Sequence, residues 1–483
     1  MHFKYSKKRI GKNRSFYTQK CQWYNQKNGM FKIGMKLCNA LFYALLICSG
    51  LLMCSPAVYA LDLIQAYERA EQTDPSWQAE RLQYQSDQMN LGIASGNLLP
   101  TVTFSGSILR KSQDLNLNST SSSGSRFISP TSTTRQIALT ARQPLFRWDA
   151  WQGYKQVKTS VHLSEINLQI QEQQHVFNIA QIYFNVLRQQ SLTRVNAQEE
   201  QALLKQLQMM QAKLKEGLVA RSDVVEAQAQ YENARANRIA TGVQLLLAQE
   251  QLTQFIGEYR EPLAVLSDDF NIQPNTVQLL EDWLSLAETH NLNVQQARLQ
   301  QRFRSDAYHV EKAARYPQVD AVAMYGYNRQ HPETLMSGDG QFDQIGVEMT
   351  WNVFTGGITK KSIQQAGINM QVADAQFDAV LRQAKTDIKS AYLQVETDEA
   401  KLSARKTARD SARWVAQASQ AQYQEGLKNI VDLLLAQRNA FSAEQDYVNA
   451  QYDYVLNILK LKMAVGQLTQ QDLHEMNQRL VLK

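Results

Sequence analysis

Seven histidines (His2, His162, His175, His290, His309, His331, His474) are the side chains best suited to proton transfer or metal binding. They form no His-Glu-x-x-His element and no other paired ligand spacing. No phosphate-binding loop occurs. Gly338-Asp339-Gly340 reads as a hairpin turn rather than part of a calcium loop. The acid pair Glu199-Glu200 lies on a helical stretch with no sign of an apolar pocket, so it reads as solvated surface. All four cysteines (Cys21, Cys38, Cys48, Cys54) precede residue 60. The rest of the chain therefore has no disulfide framework, no thiolate metal site and no nucleophilic cysteine. These residues point away from an enzyme, and no cofactor or metal is expected.

What recurs is a turn. Lys-Glu-Gly-Leu at 215–218 is followed by Asp223 and Gln228; Gln-Glu-Gly-Leu at 424–427 is followed by Asp432 and Gln437. Gly217 and Gly426 are 209 residues apart, as are Asp223 and Asp432, Gln228 and Gln437, Gly257 and Gly466, and Tyr183 and Tyr392. A fixed offset held over so many pairs marks an internal duplication. Each turn sits between two long proline-free arms. From Trp148 to about Lys215 the only glycine is Gly153, and Leu203, Leu207, Met210 and Leu214 keep helical spacing. Such an arm is a helix of roughly 100 Å. Ser222 or Asp223 can cap the second arm, which runs to Gly257. In the second copy the arms run to Glu425 and from about Asp432 to Gly466. Helices this long need a coiled-coil-like partner to bury their apolar stripe.

Ahead of each hairpin the period changes from 3.6 to two. Val102, Phe104, Gly106 and Ile108 alternate with Thr101, Thr103, Ser105 and Ser107. Ile137, Leu139 and Ala141 alternate with Gln136, Thr140 and Arg142, with Ala138 as an exception, and Gln143-Pro144-Leu145-Phe146 closes that run. Residues 112–134, rich in Ser, Thr and Asn, read as an exposed loop. In the second copy Val319 to Tyr327 and Ile345 to Val353 alternate in the same way, joined by a shorter turn over 331–340. Tyr325, Tyr327 and Trp351 suit either an interface girdle or packing between strands. Helices precede both strand pairs: Leu61 to Ser95, broken at Asp74-Pro75, and Asn291 to Arg315, ended by Tyr316-Pro317. The strands span 9–13 residues, and about 9–11 residues cross a membrane as a β-strand. Four strands cannot close a barrel, and open edges are not tolerated in lipid. If the strands are transmembrane, copies of the chain must pool them into a cyclic oligomer. The alternative is a soluble ribbon at the end of a coiled-coil scaffold.

Four segments follow: 1–60 a signal peptide, 61–270 a first repeat (helix, strand hairpin, long helical hairpin), 271–470 a second repeat, and 471–483 a polar C-terminal tail. In the first, Lys32 and Lys36 flank the apolar run Leu41 to Met53, and Val58-Tyr59-Ala60 offers a cleavage site after Ala60. The start at Met1, Met30 or Met35 stays open, as does lipidation of Cys54, where Met53 is large for a lipobox. The formal net charge of +6 is misleading. Ten of the 51 Lys and Arg lie in residues 1–60, which leaves 41 basic against 45 acidic residues and no basic face for nucleic acid.

The layout resembles the TolC family of outer-membrane channels over about 61–470. The resemblance is carried by Asn90 to Pro100, Gln143 to Phe146, Ala180 to Leu187, Gly217-Leu218-Val219 with Ser222-Asp223-Val224, Trp351 to Gly357, and Gly426 through Asp432. It implies a mixed α and β fold: a homotrimer sharing a twelve-stranded β-barrel in outer-membrane lipid, continued by a periplasmic α-helical coiled-coil barrel. The 258–290 and C-terminal segments would form a belt. The implied role is a passive exit duct for type I protein secretion and multidrug efflux. It would be opened by docking to a periplasmic adaptor and to an inner-membrane efflux pump or ABC transporter. By the same resemblance, Tyr423 and Lys428 would bond toward Asp223 of a neighbouring hairpin, and Asp432 would line the narrowest ring. Gly217, Leu218, Val219, Gly426 and Leu427 would meet the adaptor. Leu435 stands where a second aperture carboxylate is expected, and Lys428 replaces an Arg, giving a point charge instead of a fork.

Overall fold

The computed structural model describes residues 60–112, 131–267, 279–331 and 339–481. The expected signal peptide up to residue 59, with the open questions of its start and of Cys54, and most of the expected 112–134 loop lie outside the described residues. Two short helices, α1 (Leu63–Thr73) and α2 (Pro75–Gly96), lead into strands β1 (Thr101–Ser112) and β2 (Thr131–Phe146). The helical hairpin α3 (Trp148–Lys215) and α4 (Arg221–Ile256) follows. After β3 (Val265–Leu266) the order recurs: α5 (Leu280–His290), α6 (Leu292–Ala313), β4 (Gln318–His331), β5 (Gly340–Thr350), α7 (Ile358–Gln424) and α8 (Ile430–Val465). The long arms match in length, 68 and 67 residues for α3 and α7 and 36 each for α4 and α8. Helix α9 (Gln470–Asn477) and strand β6 (Leu480–Val481) end the described chain.

The four long strands form one antiparallel sheet in the order β1-β2-β4-β5, so β1 and β5 are its two edges. Register puts Phe104, Leu139 and Tyr325 in one row and Ala141, Ala323 and Ile345 in another, on the same face. That face is apolar and open: Ile345 is 88% exposed, and Phe104, Leu139, Tyr325 and Met349 are exposed too. Tyr325, Tyr327 and Trp351 are thus surface rings, not fillers between strands. On the opposite face Ala138 is buried, and Arg142 donates to Asp320 at 2.8 Å and to Glu348 at 2.7 Å. A sheet that points its apolar side chains outward and its ion pairs inward inverts the arrangement of a water-soluble protein.

Below the sheet the helices lie side by side. The C-terminal end of α4 meets the break between α1 and α2, where the Thr73 hydroxyl donates to the Phe255 carbonyl at 2.7 Å. The C-terminal end of α8 meets the break between α5 and α6, where Asn291 Nδ2 donates to the Ala464 carbonyl at 2.6 Å. Stacked end to end, α2 with α4 and α6 with α8 make two composite rods. The packing order is α2/α4, α3, α6/α8, α7. The edges of this helical layer are therefore α2/α4 and α7.

The largest apolar cluster surrounds the two junctions, with Ile179, Tyr183, Phe184, Leu252, Val455 and Leu459 fully buried. The Tyr183 hydroxyl lies 3.0 Å from the Leu61 carbonyl and 2.9 Å from that of Ala264. Burial pushes its pKa up. The C-terminal segment differs from the expected polar tail. Leu473 and Met476 of α9 are buried, Asn477 Nδ2 donates to Asp62 at 3.1 Å, and β6 pairs with β3. Two apolar side chains suffice because the segment leans on an existing core.

Two further readings need correction. β2 begins at Thr131, inside the supposed loop, because Ser112 of β1 continues the ladder to meet it. β5 ends at Thr350, not Val353, because Thr350 already pairs with Gln318, the first residue of β4. Trp351 instead donates its indole N–H to the Arg315 carbonyl at 3.1 Å.

At the α1–α2 break, His175 of α3 is buried with Nδ1 3.3 Å from Asp74 Oδ2. It stacks on Trp77 with centroids 5.2 Å apart. Asp74 also caps α2, accepting from the Ser76 N–H at 2.9 Å. Burial lowers the imidazole pKa, against an opposing pull from Asp74 and Glu71. The unfolded chain therefore binds more protons than the folded one between the folded value and the ordinary histidine value, and stability rises with pH across that window. The wild type should unfold at a lower temperature at about pH 5.5 than at about pH 7.5, and His175→Gln should flatten that difference. Gly466 has φ 85°, and a Cβ there would collide with the His290 carbonyl oxygen. Gly466→Ala should cost about 2–3 kcal/mol in denaturant unfolding. Gly153→Ala, in open space within α3, should gain about 0.5–1 kcal/mol.

Candidate functional site

The two hairpin turns are the same structure built twice. Gly217 and Gly426 both have φ 74°, a region that side chains with a Cβ rarely enter. In the first turn the Leu218 N–H donates to the Lys213 carbonyl at 2.9 Å and the Gly217 N–H to Leu214 at 3.0 Å. In the second, Leu427 donates to Gln422 at 2.8 Å and Gly426 to Tyr423 at 3.1 Å. This pair of bonds closes a helix end while reversing the chain. Each turn then presents a leucine outward, Leu427 being 78% exposed and Leu218 nearly as open. Val219 turns inward and packs on the tip cluster.

That cluster joins the two hairpins at their tips. It holds Leu203, Leu207, Met210, Val224, Ala227, Ile430, Leu433 and Leu434. Tyr423 covers it: its hydroxyl lies 3.5 Å from the Met210 sulfur and from Lys213 Nζ, and Lys213 sits 4.8 Å from the ring centroid. Tyr423 therefore binds the first hairpin, but at α3 and not at Asp223. Lys428 Nζ donates to the buried Ser419 hydroxyl at 3.0 Å, within its own hairpin. Asp223 accepts from the Ala220 N–H at 3.3 Å and lies 3.3 Å from the Ser222 hydroxyl, a helix-start role. Asp432 is exposed, and among the described residues its carboxylate has no partner. Its own N–H donates to Asn429 Oδ1 at 2.8 Å. Leu435 is exposed on the same helix.

The single chain thus brings Tyr423 to the first hairpin and leaves Lys428, Asp223 and Asp432 apart. Lys213, Met210 and Ser419 are the partners that sequence reasoning missed. The helical spacing of Met210 and Leu214 had placed α3's stripe, but not what crosses it from 213 residues away. Glu199 is a further correction. It is buried, not solvated, because its face of α3, with Asn196 and Gln206, packs on α8. Burial raises its pKa while Arg438 pulls it down. Asn196 Oδ1 accepts from Gln445 Nε2 at 2.8 Å across this seam. Glu200, one residue on, pairs with Arg238 of α4.

A cavity of about 1040 Å³ lies far from the tips, between α3, α6, α7 and α8. Gln174, Gln296, Gln376, Gln383 and Lys460 are among its lining residues. Uncharged amides supply most of its polar groups, beside apolar side chains such as Leu163, Phe377 and Val380.

Comparison with known proteins follows the same outline. The sequence profile of the outer membrane efflux protein family matches residues 66–258 and 283–467. Outer membrane protein TolC of Escherichia coli (strain K12) is 27% identical over 437 residues, covering 87% of this chain and 85% of that protein. The alkaline protease secretion protein AprF of Pseudomonas aeruginosa is 25% identical, covering 88% of each. The crystal structure of the outer membrane protein VceC from Vibrio cholerae superposes with a TM-score of 0.70 at 18% identity, covering 84% of this chain and 96% of that one.

The cap of α8 is testable in isolation. Asn429→Ala should remove about 1 kcal/mol from the start of α8 and speed exchange of the Asp432 and Leu433 amides about fivefold by hydrogen-exchange mass spectrometry. Ala220, which offers α4 no side-chain acceptor, should slow exchange at the start of α4 when replaced by Ser.

Proposed function

This chain belongs to the outer membrane efflux protein family, and we propose that three copies of it close into an exit duct for multidrug efflux and type I protein secretion. It resides in the outer membrane. The observation that carries the reading is the pair of open edges. β1 and β5 each have a neighbour on one side only, and the face between them is apolar and exposed. Lipid tolerates neither open edge, so β5 of one copy must pair with β1 of the next. The helical layer repeats the condition. Its edge rods expose Leu82, Met89 and Ile93 on α2, Ile239, Val243 and Leu246 on α4, and Ile368 and Val372 on α7. The resemblance to the TolC family supports three copies and twelve strands, an even count of the kind bacterial barrels use.

The outward rings Tyr325, Tyr327 and Trp351 then sit as an aromatic girdle in lipid. The polar face, with Arg142, Asp320 and Glu348, lines the pore. The helices continue the duct into the periplasm, and the hairpin tips form its entrance. Three Asp432 carboxylates ring the narrowest point; their lack of partners in the single chain supports this. A bond from Lys428 or Tyr423 to Asp223 of a neighbouring hairpin would hold the entrance shut. It competes with the in-chain contacts to Ser419 and Lys213, so the lock forms between copies or not at all. The exposed leucines of the two turns, Leu218 and Leu427, with Gly217 and Gly426 allowing close backbone approach, meet the tips of a periplasmic adaptor. An inner-membrane pump or ABC transporter supplies the energy, and the duct itself is passive.

Single-channel recording in planar bilayers tests the aperture. Wild type should be cation-selective and blocked by multivalent cations, and Asp432→Ala should weaken the block about tenfold or more. An unchanged block would remove Asp432 from the aperture.

A further inference from the structure

The half of α7 below the belt is a heptad of uninterrupted rhythm. Val395, Asp398, Leu402, Arg405, Arg409, Ala412, Ala416, Ser419 and Tyr423 are its shielded positions, spaced alternately three and four apart. They face α8. Helix α4 keeps the same rhythm toward α3 with Val224, Ala227, Tyr231, Ala234, Arg238, Thr241, Leu245, Ala248 and Leu252. A heptad also defines the row pointing directly away from its partner. On α7 that row reads Ala400, Thr407, Trp414, Ala421, and on α4 it reads Ala229, Ala236, Val243, Glu250. Toward the tips, before Glu250, both rows are small or apolar, and among the described residues neither helix has a partner on that side, because α4 and α7 are opposite edges of the helical layer.

One residue breaks the pattern of small side chains. Trp414 is 69% exposed, and no aromatic or cation–π partner engages its ring among the described residues. It stands twelve residues before Gly426, while Ala229 stands twelve residues after Gly217. Both are therefore about 18 Å above their turns. With identical copies arranged around an axis and held at equal height, the away-facing rows of α7 and α4 come opposite each other, and Trp414 faces Ala229.

We propose that Trp414 is a wedge between copies, seated in the hollow that Val225, Ala229 and Ala236 form on α4 of the next copy. This rests on the trimer reading above and adds the contact that fixes the lower tunnel wall. The occupant is a second copy because the same two edges of the chain carry the open strands β5 and β1 higher up, so one seam runs from barrel to tip. The hollow suits an indole: alanines let the ring approach the α4 backbone, and burying a tryptophan removes roughly 150–250 Å² from water. Such a wedge holds α7 against its neighbour just above the entrance, where the α7–α8 hairpin must be free to move if the duct is to open.

Disulfide trapping tests it, since the exported part of the chain has no cysteine of its own. The double variant Trp414→Cys/Ala229→Cys, purified in detergent and oxidised with copper phenanthroline, should give covalent dimers and trimers on a non-reducing gel that revert with dithiothreitol. Each single variant should give none. Trp414→Cys/Leu246→Cys, displaced by about 25 Å along α4, should also give none. A double variant that sizes as a trimer yet fails to cross-link, with the thiol introduced on α7 freely alkylated by maleimide, overturns the wedge and leaves the trimer standing. Equal cross-linking at Leu246→Cys overturns the register. A monomer on sizing overturns the trimer reading itself.

Discussion

An exposed strand edge is costly in lipid, where no water can satisfy its N–H and C=O groups. This chain has two of them, β1 and β5, on a sheet whose outward face is phenylalanine, leucine, isoleucine and tyrosine. No internal rearrangement cures this, since only four long strands are described. The rest of the structure follows from supplying those edges with partners. In the proposed ring identical copies do it, because the free edge at one side of the chain is complementary to the free edge at the other.

The helical layer obeys the same rule with different forces. In water the penalty falls on exposed apolar surface rather than on unpaired backbone groups. The composite rod α2/α4 and the long helix α7 carry that surface along the two outer sides of the layer. Inside one chain the seam between hairpins is apolar only at the tips and around the junctions. Between them Asn196 and Glu199 make it polar. A seam with polar stretches holds register without welding the hairpins together, which suits a wall that has to open.

Most of this architecture could be read from sequence because long helices announce themselves. A proline-free run of more than sixty residues with 3–4 spacing has no other regular solution. Gly217 and Gly426 mark the reversals because the left-handed backbone there favours glycine. The strands were legible from period two, but their ends were not. Thr131 and Thr350 are set by which partner residue remains unpaired, and that information sits in another strand. The belt was hardest. Leu473 and Met476 are too few to make a pattern, and they fold by joining a core assembled from residues hundreds of positions away. Glu199 was misjudged for the same reason, since α8 buries it, and the seat of Tyr423 on α3 within one chain likewise has no local signature.

The central claim is that the folded unit is incomplete until copies close the ring. Native mass spectrometry of the protein extracted from outer membranes in mild detergent tests it most directly. A single species at three times the mass of the processed chain is expected. A species at one chain mass, obtained without denaturation, would contradict it.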